Sequence, residues 1–178
     1  MSSLSVLSQR SLSTYLVQYA RSLAPGLILV GDGYAPDEGG WNGPLGRSTF
    51  VPYAVIGITG MRPQTSTLCD VAGDLNVSVR MSSHGVSREQ AEVVADGMRG
   101  KMDTLIGQKL DVGPMKWSVQ QLKDPSFGGA NRDSSIDPAY WAVTDSFGMV
   151  MSLTSTPGTV TLGPHAVAKT TAATKREV

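Results

Sequence analysis

Two repeat lengths take turns along the chain. From Leu12 the apolar positions fall at Leu12, Tyr15, Leu16, Tyr19, Ala20 and Leu23, the i, i+3, i+4, i+7 series of a helix with one buried side. Pro25 and Gly26 stop it. Leu27 to Val30, "LILV", reads as a short strand or a packed connector. Gly31 to Phe50 has neither period and predicts a long loop, of a length that usually has a job. "VPYAVIGITG" from Val51 is a strand by its β-branched and aromatic content, with Pro52 near its start where a missing N–H is tolerable. Met61 to Gly73, with Pro63, predicts a long connection.

Leu75, Val77, Val79 and Met81 then alternate with Asn76, Ser78, Arg80 and Ser82. Period two means one buried face and one wet face, as in an antiparallel sheet covered on one side only. The period changes at Ser87. With Gln90 three positions on it forms a capping-box pattern, and Glu89 lies in the first turn, where the helix dipole favours a negative charge. The buried stripe of this second helix is Ala91, Val94, Ala95, Met98, Met102 and Leu105, ending before Gly107. "MKWSVQQL" from Met115 and "YWAVTDSFGMVMSLT" from Tyr140 add two strands, separated by the polar loop "KDPSFGGANRDSSIDP". The order α-β-β-α-β-β predicts an α+β fold: a mostly antiparallel four-stranded sheet, helices packed on one face, long loops and a C-terminal extension.

At 178 residues the chain suits one domain, set at residues 1–153 with the first helix included. Residues 154–178 are rich in Thr and Ala and too poor in large apolar side chains to fold alone. They are a disordered tail or an arm that orders on a partner. With 40% hydrophobic and 17% charged residues, 20 glycines and 10 prolines, the rest is globular and loop-rich. Fifteen basic residues balance fifteen acidic ones, which argues against holding nucleic acid by phosphate neutralisation and suggests a surface that associates readily. A single cysteine, Cys69, excludes an intrachain disulfide and a multi-cysteine zinc site. No apolar run reaches the roughly 18 to 20 residues of a membrane span, and the first residues lack the features of a secretory leader. The expectation is a soluble intracellular product.

Candidate chemistry is sparse. "LILVGDGYAPDEGG" lacks the third glycine and the following helix of a dinucleotide-binding turn. Asp32, Asp37 and Glu38 lack the spacing of a calcium-binding loop. Cys69 and His84 lie near strand ends, but no third group is marked to orient them; His165 sits in the extension. No phosphate-binding glycine loop, metal-binding histidine pair or serine elbow is present. No catalytic, cofactor-binding or metal-binding residue is therefore expected. Trp117, Tyr140, Trp141 and Phe147 stand on strands without a basic cluster, as packing aromatics do. Arg80, Arg88, Arg99 and Lys101 mix with Glu89, Glu92, Asp96 and Asp103, the pattern of a solvated or interface face. Gly97 and Gly100 each cost about 1 kcal/mol relative to Ala inside a helix. With Val93 and Thr104 they make a second, small-residue face. A helix keeps such a face where another backbone comes close, within the subunit or from a neighbour; otherwise it frays after Met98.

An ordered set of motifs carries a resemblance. A strand ending in Ser-x-Gly, a turn, "REQAE" with "AD" a few residues on, a Trp-bearing strand and a final "DPAYWAVTDSF" resemble the tail terminator proteins of long-tailed phages, especially those of actinobacteria. "GPLG" at Gly43 to Gly46 fits as well, and the resemblance spans Leu12 to Leu153. It implies a small subunit forming a hexameric ring on the last ring of the tail tube, where it stops polymerisation and docks the head-completion, or stopper, protein. Partners would then be copies of itself, the major tail tube protein and the stopper, with no membrane. Genomic DNA would pass through the lumen without specific binding, compatible with a neutral chain. The implied location is the head-proximal end of the virion tail, after assembly in the host cytoplasm. The family offers no catalytic residues and no cofactor. A closed ring needs two different faces per subunit; the candidates are the wet strand face, Asn76, Ser78, Arg80 and Ser82, and the helix face, Val93, Gly97, Gly100 and Thr104. The alternatives are another neck or head–tail completion protein, a small nucleotide-binding enzyme domain built on "GDG", and a secreted module, against which the missing leader and disulfides count.

Overall fold

The computed structural model describes residues 7–22, 28–44, 48–64, 74–112, 115–135 and 137–155. In chain order its elements are α1 (Gln9–Ser22), β1 (Leu29–Asp32), β2 (Gly40–Asn42), β3 (Thr49–Val51), β4 (Tyr53–Gln64), β5 (Asp74–Gly85), α2 (Arg88–Asp103), β6 (Lys109–Val112), β7 (Met115–Ser126), β8 (Asn131–Asp133) and β9 (Tyr140–Ser155). The class is α+β. The sheet runs β1-β4-β5-β9-β7-β6, with β8 beside β9, while β2 and β3 pair separately.

The four predicted strands are the long ones, β4, β5, β7 and β9, and each pairs antiparallel with its long neighbour. The four-stranded expectation is nevertheless too small and too uniform. Among the described residues the sheet has seven strands and is mixed, because β1 joins β4 in parallel. The missed strands β6 and β8 are four and three residues long, too short to display a period of two, while β1 realises the strand alternative for "LILV", shifted to Leu29–Asp32. The predicted Gly31 to Phe50 loop holds the end of β1 and folds back as the β2–β3 pair. β4 also runs beyond Gly60 to Gln64, into the predicted Met61 to Gly73 connection, across a register shift between Ile58 and Gly60. β9 continues to Ser155; residues 156–178 of the expected C-terminal extension lie outside the described residues.

β5 buries Leu75, Val77, Val79 and Met81, as its alternation predicts. These meet both helices in one core with Ala54, Ile56, Phe147, Met149 and Met151. α2 starts at Ser87, whose Oγ accepts from the Gln90 N–H at 3.2 Å while Gln90 Oε1 accepts from the Val86 N–H at 2.8 Å. Two orphan amides are thereby satisfied. The helix runs through Gly97 and Gly100 to Asp103 and does not fray after Met98. Gly107, at φ +81, is the left-handed turn residue that ends the exit from the helix, and its N–H bonds Val119 O at 2.8 Å.

α1 buries Leu12, Leu16 and Ala20 as predicted. Its stripe is rotated slightly from expectation: Ser13 and Val17 are buried, while Tyr15 and Tyr19 stack together at 6.3 Å, partly buried on the flank. The helix packs against β1 and β4 at one end of the sheet and against β6 at the other. One helix can reach both edges because the sheet curls around it. Leu16 is fully buried there; we expect Leu16→Ala to destabilise the fold by about 2–5 kcal/mol in urea unfolding, and a loss below about 1 kcal/mol would show that the helix does not close the core.

Candidate functional site

The helices cover only one face of the sheet. Directly paired residues share a face, so the transverse rows Gly57–Arg80–Ser146, Gly60–Ser78–Gly148 and Arg62–Asn76–Val150 lie on the other. The predicted wet residues sit there: Ser78 and Arg80 exposed, Asn76 and Ser82 half-buried. Lys123 of β7 continues the Gly148 row. Short polar side chains brace this face, with Ser82 Oγ 3.5 Å from Thr144 Oγ1 and Ser152 Oγ 2.5 Å from Asp74.

At its other end the same face is roofed by the β2–β3 pair. Phe50 meets Trp41 edge-on at 5.3 Å and lies 6.1 Å from Tyr140, and Trp41 Nε1 donates to Pro138 O at 2.8 Å. Beneath them His84 stacks on Tyr53 at 4.4 Å and faces Tyr140 at 5.3 Å. Its Nδ1 is buried without a hydrogen-bond partner among the described residues. Burial lowers the imidazole pKa to about 4, opposed by Asp133. Tyr140 is pushed up to about 12, first by burial and then by Asp133 beside it. Asp133 itself is held low by hydrogen bonds from Ser135, whose Oγ lies at 2.5 Å. The geometry makes His84 a packed neutral ring. Cys69, considered with it above, and His165 lie outside the described residues. Trp41 and Phe50 were missed because their strands span three residues each; aromatics inside a glycine-rich loop were the available signal.

The small-residue face of α2 is divided. Gly97 lies under Ile28, whose Cδ1 would be 2.9 Å from an added Cβ, whereas Gly100 faces open space. Thr104 meets Tyr19, whose hydroxyl lies 3.0 Å from both Thr104 O and Oγ1. Val93 is 64% exposed. This face and the wet strand face therefore lie on opposite sides of the subunit, α2 being on the covered side of the sheet.

Two of the helix cations turn inward, contrary to the solvated reading. Lys101 is buried and donates to Ala20 O, a carbonyl at the α1 C-terminus, at 2.7 Å; burial lowers its pKa. Arg99 grips Asp145 of β9 with Nε and Nη2, each at 2.9 Å. Asp145 is only 2% exposed and also accepts from the Gly128 N–H at 3.0 Å. Phe127 lies over the guanidinium at 4.7 Å, and Gly128 lies so close to β9 that a Cβ would fall 2.2 Å from Thr144 O. The signal was legible: Asp145 shares strand parity with Val143, Phe147 and Met149, and a carboxylate in that register requires a cation.

The "GDG" turn serves α1. Asp32 accepts from the hydroxyls of Ser13 and Thr14, and the Gly33 N–H bonds Ile56 O at 2.8 Å. Among the described residues no three His, Cys, Asp or Glu are grouped to hold a metal ion, and no helix is long and apolar enough to cross a membrane.

No protein-family description matches the chain, and no curated protein matches it. Among solved structures, one that carries only a sequence label is 14% identical, covering 88% of this chain and 100% of its own at a TM-score of 0.47. Another, described as the virion of a native gene transfer agent (GTA) particle, is 11% identical, covering 79% of this chain and 94% of its own at a TM-score of 0.38. These are similarities of backbone course at low identity.

Two substitutions test the geometry. Arg99→Leu leaves Asp145 buried without its cation and is expected to destabilise the fold by about 3 kcal/mol, with Arg99→Lys recovering only part of the loss; a variant as stable as the parent in urea unfolding would refute the pairing. His84 binds its proton less readily folded than unfolded, so its contribution to stability is complete above about 6.5 and declines as pH falls through about 4. The melting temperature should therefore fall less between pH 6.5 and pH 4 in His84→Phe than in the parent. An identical pH slope in both proteins would show that His84 is not the group responsible.

Proposed function

We propose that this chain is a structural protein of a long-tailed phage virion, a tail terminator that closes the head-proximal end of the tail tube. The observation that carries the reading is the pair of unlike faces on opposite sides of one core. The sheet has an open polar face, and α2 presents an outer surface with Val93, Asp96 and Gly100 exposed. Heterologous contacts close into a ring where the rotation from copy to copy closes, and the sequence resemblance supplies both the closure and six as the number. Of the eight candidate interface residues, Ser78, Arg80, Val93 and Gly100 are exposed most plainly.

In this role the ring sits on the last turn of the major tail tube protein and receives the stopper on its other side. The Gly31 to Phe50 and Lys123 to Pro138 segments are the surfaces for those two partners. Genomic DNA passes through the lumen without specific contacts, and the balanced charge favours free passage. No cofactor and no membrane take part. The test is electron microscopy of particles assembled without this chain. Filled heads separate from tails of uncontrolled length are expected; normally joined virions would contradict the reading.

A further inference from the structure

The sheet's open face is charged unevenly. Arg62, Arg80 and Lys123 share it against one carboxylate, Asp74, which accepts from Ser152, and among the described residues none of the three cations makes an ion pair. Glycine and serine stand between them, at Gly57, Gly60, Ser78, Ser146 and Gly148. The hairpin roof covers the Tyr53–His84 end and leaves these positions beyond it. On the opposite side of the subunit, Glu89, Asp96 and Asp103 follow one another at seven-residue intervals along the exposed ridge of α2. Asp96 is paired with Arg99, while Glu89 and Asp103 have no cation against them among the described residues. The neutral total thus conceals a basic face and an acidic one.

The spacings are comparable without coinciding. From strand geometry the three cations form a triangle about 12–16 Å on a side at Cα, while the ridge sets its carboxylates in line, about 10 Å apart and about 21 Å end to end. Arginine and lysine side chains span the difference, and the intervening small residues admit a helix without steric obstruction. We infer that the open sheet face of one copy receives the α2 ridge of a second copy, with Arg62, Arg80 and Lys123 set against Glu89, Asp96 and Asp103. The contact rests on the ring reading above and names its partner surfaces.

Charge exchange tests it in the full-length chain. One variant carries Arg62→Glu and Arg80→Glu; a second carries Glu89→Lys and Asp103→Lys; circular dichroism confirms that both fold. Where the second is unfolded, Glu89→Gln with Asp103→Asn replaces it, and the expected result is weakened association alone. By sedimentation velocity at concentrations on the order of 1 mM and low salt, the parent should associate, and each variant alone should associate about tenfold more weakly or less. Mixing the two reversed variants one to one should restore assembly, because each face then meets its opposite on the other protein. Added salt should weaken the parent's association, since such contacts are screened beyond about 10 Å at 0.1 M. A monomeric parent, undiminished association in either variant, or a mixture of the reversed pair that fails to assemble would overturn the contact. The terminator reading is judged separately, from particles lacking the chain, so either can fail while the other stands.

Discussion

Leu12 and Leu16 of α1 are fully buried in a helix that packs on β1 and β4 at one end of the sheet and on β6 at the other. Everything else depends on this wedge. An open twisted sheet exposes two edges, and here one helix ties them together from the inside. Polar contacts fix its depth: Gln9 donates to Ile58 O at 2.6 Å, Ser13 to Asp32, Arg21 to Val30 O, and Lys101 to Ala20 O at 2.7 Å. Each lies at a different point along α1, so the helix cannot slide without breaking several at once. Because the apolar side chains of both helices go into the hollow of the curl, the other face of the long strands is left polar and open.

The second helix is held by a different kind of interaction. Burying Asp145 requires the Arg99 guanidinium, and such a pair gives registry more dependably than stability. It fixes α2 over β9 at one point and, through the Gly128 N–H, lays the loop after β7 onto the same strand. Two residues further on, Lys101 couples α2 to the C-terminus of α1, where a cation also meets the negative end of the helix dipole. These contacts fix the position of α2, and with it the outer helix face, relative to the sheet and to α1.

Much of this was legible in the residues. The alternation from Leu75 to Met81 and the stripe from Ala91 to Leu105 correspond to real buried faces, because each runs long enough for its period to stand out. The capping pattern at Ser87 and Gln90 has its two side-chain hydrogen bonds, with Gln90 reaching past the cap to the Val86 N–H. What could not be read depended on distant partners. Three-residue strands at Trp41 and Phe50 exist only because they pair with each other and roof His84. Arg99 and Lys101 look solvated in sequence because their acceptors, Asp145 and Ala20, are 46 and 81 positions away. The α2 glycines show the same limit: sequence marked a close approach, and only packing assigned Ile28 to Gly97 and open space to Gly100.

The account makes the chain a joint, with a wedge-closed core that keeps two unlike surfaces at fixed positions for its neighbours. The most direct test is to locate it in intact virions. Cryo-electron microscopy of the neck, with antibody against this chain as the marker, should place it as one ring between the last turn of the tail tube and the head-completion proteins. Density for the chain in the capsid shell, at the tail tip, or nowhere in the particle would contradict the account.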